Sequence, residues 1–170
     1  MDTIETMMTR RSVRSWEDKP VPEELVKKIL AAAMQAPSAR NQQAWQFIVL
    51  TERKVLDEVA KTAPGAKPAE KAPLGIIVCG DMSLETATAG YWVQDCAAAS
   101  MSILIAAYSL GLAGVWTAGY PNMDRANGLA RIVGLPENVI PLSMILLGYE
   151  ESRPALENRF KEERVHYNHW

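Results

Sequence analysis

Arg10-Arg11-Ser12-Val13-Arg14 places three guanidinium groups and a hydroxyl within five residues. So much like charge in one turn calls for an anion to share it. Arginine suits a dianionic oxygen cluster, because its planar fork makes two parallel hydrogen bonds and does not deprotonate. The plain alternative is a solvated basic turn or a set of partners for nearby carboxylates, and from these residues alone that alternative stays open. A second polar stretch, Pro37-Ser38-Ala39-Arg40-Asn41-Gln42-Gln43, gathers turn formers with amide and guanidinium side chains. His166 and His169 share an i, i+3 spacing, but no carboxylate or thiolate set accompanies them, so no metal site is expected. The glycine-rich nucleotide motifs and the GxSxG nucleophile elbow are absent from the sequence.

A chain of 170 residues fits one domain with a single core. With 48% apolar and 22% charged residues, disordered and fibrous classes drop out. The net charge of −2, without a basic stripe, excludes a surface built to neutralise a nucleic-acid backbone. Cys79 and Cys96 lie in apolar stretches and suit a reducing cytosol. The acidic opening lacks the basic flank and apolar run of a secretory signal, so a cytoplasmic location is expected.

Several elements must position the two polar stretches. Residues 2–9 predict a short helix, with Asp2 or Thr3 as cap and Ile4, Met7 and Met8 as its apolar face. Pro22-Glu23-Glu24 supplies a good first turn for a second helix, burying Leu25, Val26, Ile29, Leu30, Ala33 and Met34 until Ala36-Pro37 stops it. Residues 45–50 and 74–79 read as buried strands, with a helix over 52–60 between them. The proline- and lysine-containing stretch 64–73 reads as a surface excursion and a candidate lid.

From Cys96 to Met123 no residue is charged, which raises a membrane span. Gly111, Gly114 and Pro121 interrupt it, so the better reading is a buried helix over 91–110 that a partner subunit helps to cover. A short strand at 115–119, a helix capped by Asn122 or Asp124 and stopped at Gly134, and an apolar strand at 139–148 follow. Trp16, Trp45, Trp92 and Trp116 read as core residues rather than cofactor platforms. The charged tail, 150–170, ends in aromatic residues that would pack on a neighbouring subunit. Neither a repeat nor a linker divides the chain.

Taken together, RRSVR after a short helix, Pro37-Ser38 with Asn41, Trp45-Gln46-Phe47, Leu110-Gly111-Leu112 running to Trp116, Leu147-Gly148-Tyr149 and the late Arg159 resemble the nitroreductase family of flavin enzymes. The resemblance spans almost the whole chain in order. It implies an α+β fold, with a mixed, mostly antiparallel sheet surrounded by helices, in an intertwined homodimer holding FMN at its interface. Residues 1–170 would form one such domain, with 150–170 as an interface-packing tail.

The resemblance also assigns roles. In the turn Arg10, Arg11, Ser12, Val13 and Arg14, the residues Arg10 and Ser12, with Arg11, would hold the FMN phosphate, and Arg159 would close on it. Arg14 would reach the flavin near N1 and O2. Pro37, Ser38, Ala39, Arg40 and Asn41 would come from the partner subunit to the flavin's polar edge. Trp116, Thr117, Ala118 and Gly119 would contribute backbone near the ring. The implied activity is transfer of hydride from NADH or NADPH to flavin N5, then of electrons to a flat acceptor such as a nitroaromatic or quinone. A flavin-binding dimer without activity, or a same-fold enzyme specialised for dehalogenation, flavin degradation or substrate oxidation, stands as the alternative. Two departures from the family pattern bear on this: Glu157 stands where larger members often place a second basic residue, and Ala44 where proline often precedes the tryptophan.

Overall fold

Residues 74–80 and 139–148 carry no charged side chain, and a strand apolar on both faces is stable only where both are covered. The computed structural model describes residues 2–86 and 89–170, the Ala118 side chain excepted. In it these runs become β2 (Leu74–Asp81) and β4 (Val139–Gly148), paired antiparallel at the centre of a sheet. β1 (Trp45–Leu50) lies outside β2 and β3 (Ala113–Ala118) outside β4, giving the order β1-β2-β4-β3. Every strand pair is antiparallel, and the one parallel element is an isolated bridge from Ser12 to Gly114. The α+β fold with an antiparallel sheet is as expected, and its parallel component is confined to that bridge outside the strands.

Alternation along the central strands feeds two cores. Ile76, Val78, Ile145 and Leu147 pack under α4 (Trp92–Ser109), on which α2 (Glu23–Ala33) lies through Val26, Ile29 and Ala33. Ile77, Cys79, Met144 and Leu146 face the other way, toward α3 (Arg53–Val59) and α5 (Met123–Val133). Val78 pairs with Ser143 but Cys79 with Pro141, so Leu142 is an extra residue that kinks β4 and falls on the α4 side. Across the α4 core, Ser100 donates to the Cys96 carbonyl at 2.7 Å, so its contact of 2.8 Å with Ser143 is donated by Ser143.

Three expectations need correction. The stretch 64–73 is not a lid: Ala66, Ala69 and Ala72 are buried in the second core, and Arg53 donates to the carbonyls of Ala69 and Ala72. Small side chains let its 3-10 helix (Pro64–Glu70) press onto the sheet. In α1 (Thr3–Thr9), Ile4, Met7 and Met8 face outward and Thr6 is the buried residue; neither Asp2 nor Thr3 gives a capping side-chain bond. β3 starts at Ala113, two residues before the expected strand, because Gly114 lets it pair closely with Leu147.

Other ends are as expected. Asn122 caps α5 by accepting the Arg125 N–H at 3.1 Å, and Gly134, at φ +68°, closes it. Among the described residues no helix is long and apolar enough to cross a membrane. Residues 151–170 are exposed throughout, including Leu156, Phe160, Tyr167 and Trp170.

A methyl group on Gly114 would lie 2.5 Å from the Leu146 carbonyl oxygen. Gly114→Ala should therefore lose about 2 kcal/mol of unfolding free energy in a urea titration. Burial pushes the thiols of Cys79 and Cys96 up to about 12, from an ordinary value of 9.0. Above pH 9 the unfolded chain releases protons that the folded chain keeps, so stability falls as pH rises toward about 12. In urea titrations between pH 9 and 11, Cys79→Ala/Cys96→Ala should show a shallower alkaline decline than the parent.

Candidate functional site

The basic turn leaves α1 as extended chain along the open edge of β3. Val13 N–H donates to the Gly114 carbonyl at 3.0 Å, and the Trp16 indole N–H to the Ala113 carbonyl at 3.0 Å. That attachment sets a period of two: Arg11 and Val13 turn into the protein, while Ser12 and Arg14 turn away from it.

Arg11 is 6% exposed and donates to the main-chain carbonyls of Ala155 and Glu157, at 3.0 and 3.2 Å. It thereby draws the tail over the turn and brings Arg159 to Arg10. Arg159 itself has one distant carboxylate, Glu157, at 3.4 Å. The half-buried guanidinium of Arg10 has an Nε with no hydrogen-bond partner. Desolvation first, then the charges of Arg159 and Arg11, push its pKa below the ordinary value. Three cations with one weak counter-ion border a cleft of about 450 Å³ that Met8 and Phe160 also line. A half-buried guanidinium with an orphaned Nε among other cations fits a multiply charged oxyanion, because a shared anion relieves both the repulsion and the orphaned donor.

Ser12 and Arg14 open on a neighbouring cleft of about 400 Å³, with Ser15, Ser152 and Arg153. Arg14 is exposed and makes no hydrogen bond among the described residues. Arg153 is already engaged, clasping Glu150 with two nitrogens and reaching the Tyr108 hydroxyl with the third. The pair that stays available is Ser12 and Arg14.

Farther along the same edge lie Trp116 and Ala118. Gly119 N–H bonds to the Leu142 carbonyl at 2.9 Å, so alternation turns the backbones of Val115, Thr117 and Gly119 toward β4. The N–H and C=O groups of Trp116 and Ala118 consequently face the open edge, in line with the Ser12 bridge. Thr117 also donates its hydroxyl to the Met144 carbonyl. Gly119 tolerates no side chain, since an added methyl would meet the Pro141 oxygen at 2.8 Å.

The loop at 37–43 stands apart. Pro37, Arg40 and Asn41 are exposed and Ser38 and Ala39 half-buried; the loop leads into β1 where Trp45 pairs with Gly80, at the far edge and opposite end of the sheet from Ala113 and Gly114, which hold the basic turn. Arg40, Asn41 and Gln43 take positive φ of 51, 56 and 53°, which non-glycine residues adopt only where surroundings hold them. Ser38 Oγ accepts the Gln43 N–H, and Asp95 Oδ1 accepts the Ala39 N–H. Within one chain, then, Arg10, Arg11, Ser12, Arg14 and Arg159 gather with the β3 edge, and the loop does not join them.

Sequence reasoning missed Asp95, the tail carbonyls that receive Arg11, and the Arg153–Glu150–Tyr108 latch. Asp95 had a faint signal: it is the acid heading the uncharged run that begins at Cys96. Main-chain carbonyls leave none.

The model of the nitroreductase family matches residues 7–87. A protein of Methanothermobacter thermautotrophicus, provisionally named NADH dehydrogenase/NAD(P)H nitroreductase, is 47% identical over 100% of this chain and 88% of its own. Among solved structures, a provisionally named NADH dehydrogenase/NAD(P)H nitroreductase from Parabacteroides distasonis superposes with a TM-score of 0.94 at 39% identity, covering 99% of this chain and 98% of that one. An FMN-dependent nitroreductase from Clostridium difficile R20291 gives 0.91 at 26% identity, over 98% and 99%.

An anion that fills the Arg10 cleft should stabilise the fold. Inorganic phosphate at about 100 times its Kd should add about 2.7 kcal/mol to the unfolding free energy. The measurement is a melt in phosphate against chloride at matched ionic strength. Arg10→Ala should abolish the difference, and no difference in the parent would refute the site.

Proposed function

The chain belongs to the nitroreductase family of oxidoreductases, and on that premise we propose that it is an FMN-dependent enzyme using NADH or NADPH. One observation carries the cofactor assignment: the half-buried, unpartnered Arg10 guanidinium set between Arg11 and Arg159. That cluster fits the terminal phosphate of FMN. FMN, when bound, supplies hydride acceptance at N5 and onward delivery of electrons to a flat electrophile such as a nitroaromatic or quinone, in ping-pong order.

The protein's part is holding and electrostatics. Arg10 and Arg159 would hold the phosphate in their shared cleft, with Ser12 reaching it from the neighbouring one, while Arg11 fixes the tail that delivers Arg159. Arg14, exposed and without a hydrogen-bond partner among the described residues, would supply a cation to the pyrimidine end near N1 and O2, where negative charge grows on reduction. The open amide edge of Trp116 and Ala118 would offer backbone hydrogen bonds to the ring. Since the 37–41 loop lies apart from this cluster in one chain, a second copy supplies it, and the site is completed in a homodimer.

The exposed apolar residues support that dimer. Ile4, Met7 and Met8 of α1 and Leu156, Phe160, Tyr167 and Trp170 of the tail are all exposed, and Met7, Met8 and Phe160 line one cleft, so apolar side chains are left for a partner to cover. Two buried free cysteines suit a reducing compartment, and we take the cytoplasm as the place of action.

The purified protein should be yellow, or take up added FMN, and should bleach anaerobically with NADH or NADPH. A colourless protein without affinity for FMN would refute the assignment, while one that binds FMN but resists both nicotinamides would be a binder. In Arg14→Ala the flavin potential should fall by about 30–60 mV, from the loss of a charge-assisted hydrogen bond, with reductive turnover slowed about tenfold or more. An unchanged potential would remove Arg14 from this role.

A further inference from the structure

Behind the 37–43 loop lies a carboxylate that stability alone does not account for. Asp95, in the first turn of α4, is 4% exposed. Its Oδ1 accepts the Ala39 N–H at 3.0 Å, while Oδ2 is buried without a hydrogen-bond partner. None of the ion pairs among the described residues includes it. Burying a carboxylate in that state is unfavourable, and the positive end of α4 offsets only part of the penalty. The same side chain would be replaced at a gain in stability by an apolar one, unless the bond to Ala39 is needed.

What that bond holds is the strained part of the loop. Arg40 and Asn41 follow Ala39 directly and both lie in the left-handed region, as does Gln43. Within the loop, the Asn41 and Gln42 N–H groups bond to the Ser38 and Ala39 carbonyls, Gln43 N–H to Ser38 Oγ and the Gln43 side-chain amide to Asn41 Oδ1, four bonds that shape the loop from inside. Asp95 ties it to α4, the helix that runs through the first core.

Resting on the flavin site proposed above, we infer that Asp95 is a positioning residue. It acts through the Ala39 N–H, fixing the 38–41 segment in the shape that meets the cofactor across the dimer, and so sets flavin affinity. Strained backbone held from behind by a costly polar group is a mark of preorganisation.

The test compares the full-length parent with Asp95→Ala, Asp95→Asn and Ala39→Pro, reading FMN affinity by titration and amide exchange at residues 40–43 in the cofactor-free protein. Ala39→Pro removes the same bond from the donor side, and Ser38, at φ −135° and ψ 150°, already has the conformation a following proline demands. Asp95→Ala and Ala39→Pro should each weaken FMN binding roughly tenfold or more and speed loop exchange, without lowering the unfolding midpoint. Asp95→Asn, which keeps a carbonyl acceptor, should recover affinity to within about threefold. Parent-like affinity and exchange in Asp95→Ala overturn the role, as does failure of Asp95→Asn to rescue. Should Asp95→Ala not fold, Ala39→Pro and Asp95→Asn decide between them. If the parent itself binds no FMN, the flavin site fails, and loop exchange alone then decides whether Asp95 holds the loop.

Discussion

Two attachments to one strand end, Val13 N–H to Gly114 and the Trp16 indole to Ala113, decide where every side chain of the basic turn points. Extended chain alternates, so once Val13 is locked into the core, Arg11 must follow it inward and Ser12 and Arg14 must turn outward. A slip of one residue would bury Ser12 and Arg14 and expel Val13. The register is held by Val13 and Trp16, both buried in the second core. Hydrophobic burial on one face of the sheet thus sets the charge pattern at its edge.

The elements were largely legible because their signals are local. β1 and β4 fall on the expected residues, and the long helix differs from its expected span by one residue at each end, since alternation, apolar runs and glycine or proline stops act within a few residues. The 64–73 stretch was misread because alanine is small enough to lie against a sheet while surrounded by residues typical of surface turns. The apolar face of α1 is legible as a face, but the sequence does not say what it meets: Thr6 packs inward, while Ile4, Met7 and Met8 point outward. Periodicity identifies a stripe without saying which surface it meets.

For the site, the cluster of arginines was visible and its use was not. Three guanidiniums in five residues suggest an anion, but only coordinates reveal that Arg11 is committed to main-chain carbonyls and that Arg10 is left wanting a partner. In the sequence, flavin is expected from resemblance over almost the whole chain, and only the fold adds the unpartnered Arg10 to that expectation. Asp95 escaped notice for a different reason: its importance lies in the backbone it touches, and a backbone N–H has no signature in sequence.

Arg11 carries a further consequence. By bonding to Ala155 and Glu157 it makes the tail's path part of the anion site, since the same segment delivers Arg159. Whatever anion occupies that cleft therefore binds more tightly to the chain with its tail docked, and by reciprocity it favours docking. The terminal residues then behave as a sensor of occupancy.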